Sequence, residues 1–156
     1  MNSLELSAVQ ALLNPEVQEW LTPEPQRLDA VLTPDHLLAV VKQVTEAHWG
    51  YLACITGLDY GAEQGRMEVL YHFCEEAYIL TLRVSLARSE AHLPSVCAII
   101  PYASPYERET AEMFGICFDS APDTRRLFLP DDWQTDLYPL RKDAPLKAEE
   151  VKHERS

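Results

Sequence analysis

The residues best placed to do chemistry form a charged group about two thirds of the way along the chain. Glu107 and Glu109 flank Arg108, and two carboxylates in different environments can act as the acid and the base of one reaction. Residues two apart on a helix do not share a face, however, and acids in a first turn are favoured by the helix dipole. We therefore expect these acids to cap and orient a helix. A stand-alone enzyme that uses Glu107 or Glu109 is the alternative.

Basic side chains form a second candidate group, because arginine forks match carboxylates and phosphates with two hydrogen bonds. The group consists of Arg125, Arg126, Arg141 and Lys142. The chain has 5 glycines, none in the spacing of a phosphate-binding loop. Nearby aspartates, Asp143 among them, predict ion pairs within the chain or across an interface instead.

Four cysteines could in principle bind a metal or an iron–sulfur cluster. They are Cys54, Cys74, Cys97 and Cys117, with no C-x-x-C pair and no nearby histidine pairing that would suggest a zinc or iron–sulfur site. Each lies in an apolar stretch, where a reduced thiol behaves as a small buried hydrophobic group. The sequence therefore predicts no metal, no cofactor and no catalytic residue in this chain, and free thiols of this kind fit a reducing cytosol.

Composition limits the classes of function. With 156 residues, 47% hydrophobic and 24% charged, the chain suits one globular domain with a real core. The net charge of −12 argues against nucleic acid, whose phosphates need clustered cations. No apolar run approaches the roughly 18 residues of a membrane span. The N-terminus lacks a basic and then apolar leader, so we expect a cytoplasmic protein.

The hydrophobic pattern predicts an α+β fold of two layers, with helices packed on a mainly antiparallel or mixed sheet. Helical spacing predicts one or two short helices over residues 3–21 and another that begins at Pro34. Strict alternation predicts a hairpin of two strands joined by residues 75–77. Further strands are predicted at residues 28–32, 51–60 and 96–100.

A capping-box pattern, S-x-x-E from Ser104 to Glu107 with a proline after the serine, predicts that a helix begins at Ser104 and ends at Gly115. The residues beyond are rich in Pro, Asp and Arg and lack periodicity, which favours a shaped, charged surface that faces a partner. Trp133 is a candidate anchor, since tryptophan and arginine are enriched at binding hot spots. Burial of Trp133 within its own segment is the alternative.

These observations divide the chain into four parts. We predict an N-terminal helical segment with a Pro-rich linker (1–25), an α/β core (26–103), a signature helix with an irregular partner-binding extension (104–146), and a loose polar tail (147–156). Of the 13 basic residues, eight follow residue 105. The late enrichment in cations marks the C-terminal third of the chain as different.

Three blocks in this third part resemble the signature of the C subunit of respiratory complex I, the NADH:quinone oxidoreductase. They are YERETAEMFGI (106–116), PDTRRL (122–127) and PLRKD (139–143). Shorter pieces at residues 58–60, 68–72 and 93–96 are similar to that family as well. The resemblance covers residues 30–146.

The resemblance implies a cytoplasmic peripheral-arm subunit without a redox cofactor of its own, attached to the inner membrane only through its complex. It would dock on the large quinone-site subunit, beside a small iron–sulfur subunit, and support electron transfer coupled to proton translocation, with iron–sulfur clusters held by partners. The interface that it implies comprises Glu107, Arg108, Glu109, Arg125, Arg126, Arg141, Lys142 and Asp143, to which we add Trp133. Alanine at Arg126 or Arg141 should leave the domain folded and weaken its retention in the complex.

The sequence also departs from the family pattern at three places. Ala111 lies where a tryptophan is common, while Ser120-Ala121 and Leu137-Tyr138 each replace a Gly-His pair. Related subunits serve energy-converting membrane-bound nickel–iron hydrogenases and formate hydrogenlyases, whose large subunit binds nickel–iron. An equivalent role in such a complex is the alternative.

Overall fold

The computed structural model describes residues 5–145, and its central element is a five-stranded mixed sheet. The strands are β1 (Glu19–Glu24), β2 (Arg27–Leu32), β3 (Tyr51–Asp59), β4 (Arg66–Glu75), β5 (Tyr78–Ala87), β6 (His92–Pro94) and β7 (Cys117–Asp119). The first five form one sheet in the order β1-β2-β5-β4-β3, in which β2 and β5 are parallel and the other neighbours antiparallel. β6 and β7 form a separate parallel pair. The predicted α+β fold is confirmed.

The hairpin of β4 and β5 is the part of the sheet that the sequence predicts best. Tyr71 pairs with Leu82 and Val69 with Val84, and all four side chains are fully buried. Residues at every second position of a strand share a face, so the alternating apolar pattern directs one face of the hairpin into the core. The predicted hairpin is confirmed.

Within residues 5–145, three α-helices pack around this sheet: α1 (Leu6–Leu13), α2 (Leu37–Glu46) and α3 (Ser104–Phe114). Short 3-10 turns lie at Asn14–Glu16, Pro34–His36 and Pro101–Ala103. α2 contributes a fully buried apolar stripe, Val40, Val41 and Val44 included, to the core. Within the described range, no helix has the length and the apolar content that a bilayer crossing requires.

Close contact between α3 and β3 depends on a glycine. A Cβ atom on Gly57 would lie 2.5 Å from the Phe114 ring, well inside van der Waals contact. Gly57 therefore lets Phe114, at the C-terminal end of α3, rest directly on the sheet. At the next residue the chain turns sharply, because Gly115 has a left-handed conformation with φ of 72° and its N–H bonds to the Ala111 carbonyl. The predicted end of the helix is confirmed.

The predicted continuation of the N-terminal helix to residue 21 is wrong. Residues 19–24 form β1, an edge strand in which Trp20 pairs with Ala30 of β2. Pro23 is tolerated there because an edge strand leaves one row of backbone groups unpaired, and the pairing register shifts between Leu21 and Glu24. Apolar residues at loosely helical spacing fitted a strand equally well, and pairing with β2 decided between the two.

The predicted strand at residues 96–100 is wrong as well. The strand β6 lies earlier, and Val96 begins a buried turn in which its carbonyl accepts hydrogen bonds from the N–H groups of Ile99 and Ile100. A short apolar run shows burial without fixing the backbone conformation. The four-part division of the chain stays a prediction, and its tail, 147–156, lies outside the described residues.

Candidate functional site

Glu107 does not cap α3, so the predicted capping box is wrong. Its side chain is 2% exposed, and its carboxylate accepts hydrogen bonds from the Ser95 hydroxyl and the Val96 N–H, both at 2.7 Å. The helix begins at Ser104, as predicted, but no side-chain hydrogen bond caps its N-terminus. Glu107 therefore ties α3 to the turn that follows β6.

The two candidate catalytic carboxylates lie in different surroundings. Glu107 is buried, whereas Glu109 is exposed to solvent. Behind Glu107 lies the buried Tyr71, whose pKa is raised by burial and by the neighbouring Glu107 and Cys97. The Tyr71 hydroxyl therefore stays neutral. The geometry gives Glu107 and Glu109 no shared site, so they do not form the acid–base pair considered from the sequence.

The C-terminal extension, defined here as residues 120–145, is held to α3 by two helix side chains. Arg108 donates hydrogen bonds to the Arg125 carbonyl at 2.8 Å and to the Arg126 carbonyl at 2.7 Å. Glu112, one turn further along the same helix face, accepts hydrogen bonds from the three successive N–H groups of residues 127–129 at 2.9 to 3.2 Å. Arg108 thus satisfies backbone acceptors and Glu112 satisfies backbone donors of a segment that has no regular structure.

Two arginines of the extension bond to carbonyl groups, whereas the sequence predicts aspartate partners for them. Arg126 donates to the carbonyls of Pro130 at 2.7 Å and Trp133 at 3.0 Å, and Arg141 donates to the carbonyl of Phe114 at 2.7 Å. Neither guanidinium has an ion-pair partner among residues 5–145. The structure therefore gives both side chains a role in fixing the path of the extension while their positive charge is left uncompensated.

The far end of the extension is attached to the sheet through Asp59. This carboxylate, at the end of β3, accepts hydrogen bonds from the N–H groups of Lys142 and Gly61 and from the Arg88 guanidinium. Arg88 also pairs with Asp143. Burial acts to raise the pKa of Asp59, but these hydrogen bonds and the charge of Arg88 outweigh burial, so the pKa lies below its usual value.

Arg125 forms the aspartate pair that the sequence predicts. Its guanidinium bonds to Asp123 at 2.9 and 2.7 Å, and the bonds from Arg125 hold the pKa of the Asp123 carboxyl well below its usual range. The Arg125 side chain is 83% exposed. An exposed pair of this kind contributes little to stability, and it remains accessible to a partner.

A groove of about 340 Å³ separates α3 from the extension. Its walls are mostly apolar and include Ala111, Phe118, Trp133 and Tyr138. Trp133 is half-buried, and its indole N–H bonds to the Leu137 carbonyl at 2.9 Å. The interpretation that Trp133 is buried within its own segment therefore holds in part. Its ring also lines a surface groove, and its role as a partner anchor stays a prediction.

Two exposed apolar residues of the extension were missed by the sequence reasoning. Phe128 is 63% exposed and Leu140 is 56% exposed. The apolar triplet Leu127-Phe128-Leu129 in an otherwise polar segment was the available signal. Large apolar side chains on a segment that is already hydrogen-bonded in place are characteristic of an interaction surface.

The structure distributes the predicted interface residues over several places. Around the groove lie the buried Glu107 and also Arg108, Arg125, Arg126 and Trp133. Arg141 lies at the C-terminal end of α3, and Lys142 and Asp143 lie near Asp59 and Arg88. Glu109 is exposed on α3. Asp59, Arg88 and Glu112 complete the arrangement. Asp59 and Glu112 lie in stretches that resemble the family, but none of the three was singled out as a site residue. The assignment of these residues to an interface stays a prediction.

The prediction of buried thiols holds for Cys97 and is wrong for Cys117, which is exposed. Cys54 and Cys74 are half-buried. Cys117 also lies close to His92, a proximity that arises because β6 and β7 pair although 25 positions separate the two residues. Because His92 and Cys117 are far apart along the chain, their spacing in the sequence gave no sign that they lie together.

Comparison with known proteins gives consistent results. The family model of the respiratory-chain NADH dehydrogenase 30 Kd subunit matches residues 30–150. A protein of Chloroherpeton thalassium, named as the C subunit of an NADH-quinone oxidoreductase, is 43% identical over 106 residues, which are 66% of this chain and 42% of that protein. A protein of Roseiflexus castenholzii with the same name is 39% identical over 68% of this chain and 61% of its own length. The chain thus spans about half the length of these curated relatives.

Two solved structures share the fold. A chain of the archaeal membrane-bound sulfane sulfur reductase, a respiratory membrane complex, matches with a TM-score of 0.75 and 25% identity over 88% of this chain and 83% of that one. The trypsin-resistant fragment of Nqo5 matches with a TM-score of 0.63 and 23% identity over 76% of this chain and 95% of the fragment. From the family match, which covers most of the sheet, α3 and the whole extension, we conclude that the chain belongs to the family of the respiratory-chain NADH dehydrogenase 30 Kd subunit.

Proposed function

We propose that this chain is a structural, cofactor-free subunit of a membrane-bound NADH:quinone oxidoreductase of the complex I type. In this proposal it docks on the large quinone-site subunit, next to a small iron–sulfur subunit, and supports electron transfer coupled to proton translocation. The relatives named as C subunits of NADH-quinone oxidoreductases support this assignment. The observation in the structure that carries it is the C-terminal extension, which is anchored at both ends and exposes apolar and cationic side chains.

Anchoring of the extension favours tight docking. A segment that becomes ordered only on binding loses conformational entropy at that moment, which weakens the complex. Here Arg108 and Glu112 hold one end, and Asp59 holds the other. The extension therefore presents Phe128 and Leu140 in fixed positions. Most of its conformational entropy is lost when the chain folds instead of when it binds a partner.

The charge of the extension indicates what the partner should present. Arg126 and Arg141 bond to carbonyls and keep a full positive charge, in a chain with a net charge of −12. Unpaired cations close to exposed apolar groups fit a partner surface that has carboxylates around apolar side chains. We assign this surface to the large subunit.

In this proposal the chain lies on the cytoplasmic face of the inner membrane and contacts the bilayer only through its complex. Iron–sulfur clusters belong to the neighbouring subunits. No role in binding NADH or quinone is assigned to this chain, since the groove beside α3 is part of the docking surface.

The archaeal neighbour favours a second candidate function. Its fold agrees with this chain more closely than that of Nqo5 does, with TM-scores of 0.75 and 0.63, and it belongs to a respiratory membrane complex named as a sulfane sulfur reductase. The same docking role in a complex with another large subunit, including a nickel–iron hydrogenase or a formate hydrogenlyase, is therefore the alternative.

Affinity purification of the tagged full chain from its native membranes tests both candidates. We expect iron–sulfur subunits, quinone-reductase activity with NADH and no nickel. Stoichiometric nickel with hydrogen evolution would establish the hydrogenase alternative, and sulfur-reducing activity would establish the reductase alternative. Recovery of the chain alone would overturn the docking role itself.

A substitution in the extension tests the docking surface directly. Phe128→Glu should leave the fold intact, because the ring is 63% exposed, and should lower retention of the chain in the complex about tenfold or more, because it places a charge at an apolar contact. Co-purification of the partner subunits with the tagged variant measures retention. Arg126→Ala is less informative, since Arg126 also holds the extension in place.

Tyr51→Glu is the matched control, because Tyr51 is 61% exposed and lies at the start of β3, outside the extension. Its retention should equal that of the wild-type chain. If Phe128→Glu is retained normally, or if both variants are lost equally, the extension is not the docking surface.

A further inference from the structure

Three side chains of types that commonly bind metals, His92, Cys117 and Asp119, lie close together on the exposed face of the small β6–β7 pair. The pairing is parallel and places His92 opposite Cys117 and Pro94 opposite Asp119. Because side chains two apart on a strand share a face, Cys117 and Asp119 both project on the side of His92. One donor atom from each residue lies within 4.8 Å of the other two.

The distances among these donors fit a single tetrahedral ion. His92 Nδ1 lies 3.1 Å from Asp119 Oδ1, and Cys117 Sγ lies 3.7 Å from the same oxygen. With zinc bonds of about 2.0 Å to nitrogen and oxygen and about 2.3 Å to sulfur, the edges of a tetrahedron are roughly 3.3 Å for the N–O pair and roughly 3.5 Å for the S–O pair. These two edges therefore match those of a zinc tetrahedron to within a few tenths of an ångström, and the third, between His92 and Cys117, is within 4.8 Å.

The backbone that carries these donors is fixed on both sides. The Cys117 N–H bonds to the Ala91 carbonyl at 2.8 Å, and the Ser95 N–H bonds to the Asp119 carbonyl at 2.9 Å. Phe118, between the two donors of β7, is buried in the core. An ion would therefore have to order side chains alone, which keeps the cost of binding low.

The donor types select the metal. Mg²⁺ and Ca²⁺ prefer oxygen ligands throughout, whereas a thiolate, an imidazole and a carboxylate together suit Zn²⁺. The thiolate and the carboxylate supply two negative charges, which balance the charge of the ion. All three side chains are exposed, so the fourth position is open to water.

We propose that His92, Cys117 and Asp119 bind one zinc ion that links β6 to β7, with water as the fourth ligand. The expectation of no metal, drawn from the spacing of cysteines along the chain, is replaced by this proposal. Cys117 also lines the groove beside α3. None of the three donors takes part in the contacts that anchor the extension, so the proposal is argued independently of the docking function.

Cobalt provides the spectroscopic test, because Co²⁺ takes the same tetrahedral ligands and its bond to a thiolate gives a charge-transfer absorption band. The full chain, freed of metal by chelation and kept reduced, is titrated with Co²⁺ and then with Zn²⁺. We expect one equivalent of Co²⁺ to produce the band and one equivalent of Zn²⁺ to remove it. Absence of a saturable band would overturn the proposal.

Variants identify the ligands. Cys117→Ser should abolish the band, and His92→Gln and Asp119→Asn should each weaken Zn²⁺ binding about tenfold or more in a calorimetric titration. Cys54→Ser and His36→Gln are controls that replace the same residue types elsewhere and should bind as the wild-type chain does. Circular dichroism checks that each variant is folded. Binding that survives in Cys117→Ser would place the metal on other residues and refute the assignment.

Discussion

The hairpin of β4 and β5 and the C-terminal extension are ordered by opposite means. The hairpin is held by buried apolar side chains such as Met67, Tyr71 and Leu82, and its contribution grows with the apolar area removed from water. The extension buries few large side chains, and its path is fixed by arginine and carboxylate groups that bond to backbone atoms. The stability of the hairpin is spread over many apolar contacts, whereas each polar contact of the extension fixes the backbone at a single position.

This difference has a consequence for stability and for function. Loss of a buried apolar group weakens the whole domain, while loss of one arginine–carbonyl contact should release the extension locally. A local opening would impair docking before it impaired folding. Glu107 and Asp59 are buried carboxylates that hold another segment of the chain by hydrogen bonds. Substitutions at these two residues therefore test the comparison most directly.

Removal of the buried carboxylate should have the largest effect. Glu107→Ala leaves the Ser95 hydroxyl and the Val96 N–H without their acceptor in a buried site, and we expect a loss of about 3 kcal/mol in the free energy of unfolding. Urea unfolding of the full chain measures it. Glu109→Ala, on the exposed side of the same helix, should change the value by less than about 0.5 kcal/mol. Equal effects of the two substitutions would show that Glu107 is not a tie between α3 and the turn that follows β6.

Loss of the charge at Asp59 should have an intermediate, pH-dependent effect. Asp59→Asn weakens hydrogen bonds from Arg88 and from the Lys142 N–H, with an expected loss of about 1–2 kcal/mol at pH 7. The folded-state pKa of Asp59 lies below the ordinary value of 3.8, so the unfolded state takes up a proton first as the pH falls. The stability from this group is therefore complete above that value and is lost as the pH falls through the folded-state pKa.

Urea unfolding between pH 7 and pH 3 checks this sign. The difference in free energy of unfolding between the wild-type chain and Asp59→Asn should stay constant down to about pH 5 and shrink below 3.8. Asp132→Asn, at an exposed position of the extension, serves as the control and should show no such convergence. A gap that is independent of pH would mean that the charge of Asp59 does not hold the extension.

A gain of stability is expected at one strained residue of the extension. Ser120 has φ of 63°, a left-handed conformation that costs a residue with a Cβ atom about 1 kcal/mol or more. Ser120→Gly should raise the free energy of unfolding by about 0.5 kcal/mol, since glycine also gains entropy in the unfolded state. Asp136→Gly, at φ of 60°, should gain less, because aspartate tolerates this conformation better. A fall in the thermal midpoint of Ser120→Gly would contradict the strain argument.

The comparison also explains which sequence predictions are confirmed. The alternation of apolar and polar residues predicted the hairpin, because every second residue of such a strand is buried and this pattern can be read from consecutive residues. Gly115 predicted the end of α3 because the left-handed cap is a local property. The strand β1 and the turn at Val96 were assigned wrongly, since their apolar runs allow either conformation and distant pairing decided between them.

For the candidate site, the sequence identified the important segment more reliably than the role of each residue. It singled out Arg108, Arg126 and Arg141 as a surface set, but the hydrogen bonds of all three go to backbone carbonyls, which every residue carries and no sequence pattern reveals. Glu107 was assigned to a cap because S-x-x-E is a local motif, whereas its acceptor role depends on a turn that lies twelve residues away at Ser95.

The sequence by itself determined the α+β class, the hairpin, the helix that ends at Gly115 and the charged character of the extension, because these follow from local periodicity and turn chemistry. Only the tertiary structure decided that Glu107 is buried, that Asp59 anchors the extension and that His92 lies beside Cys117. Each of these depends on contacts between residues far apart in the chain. A hydrogen bond or a shared metal site forms only when the distance between its atoms is correct to within a few tenths of an ångström, and only the packed fold sets that distance.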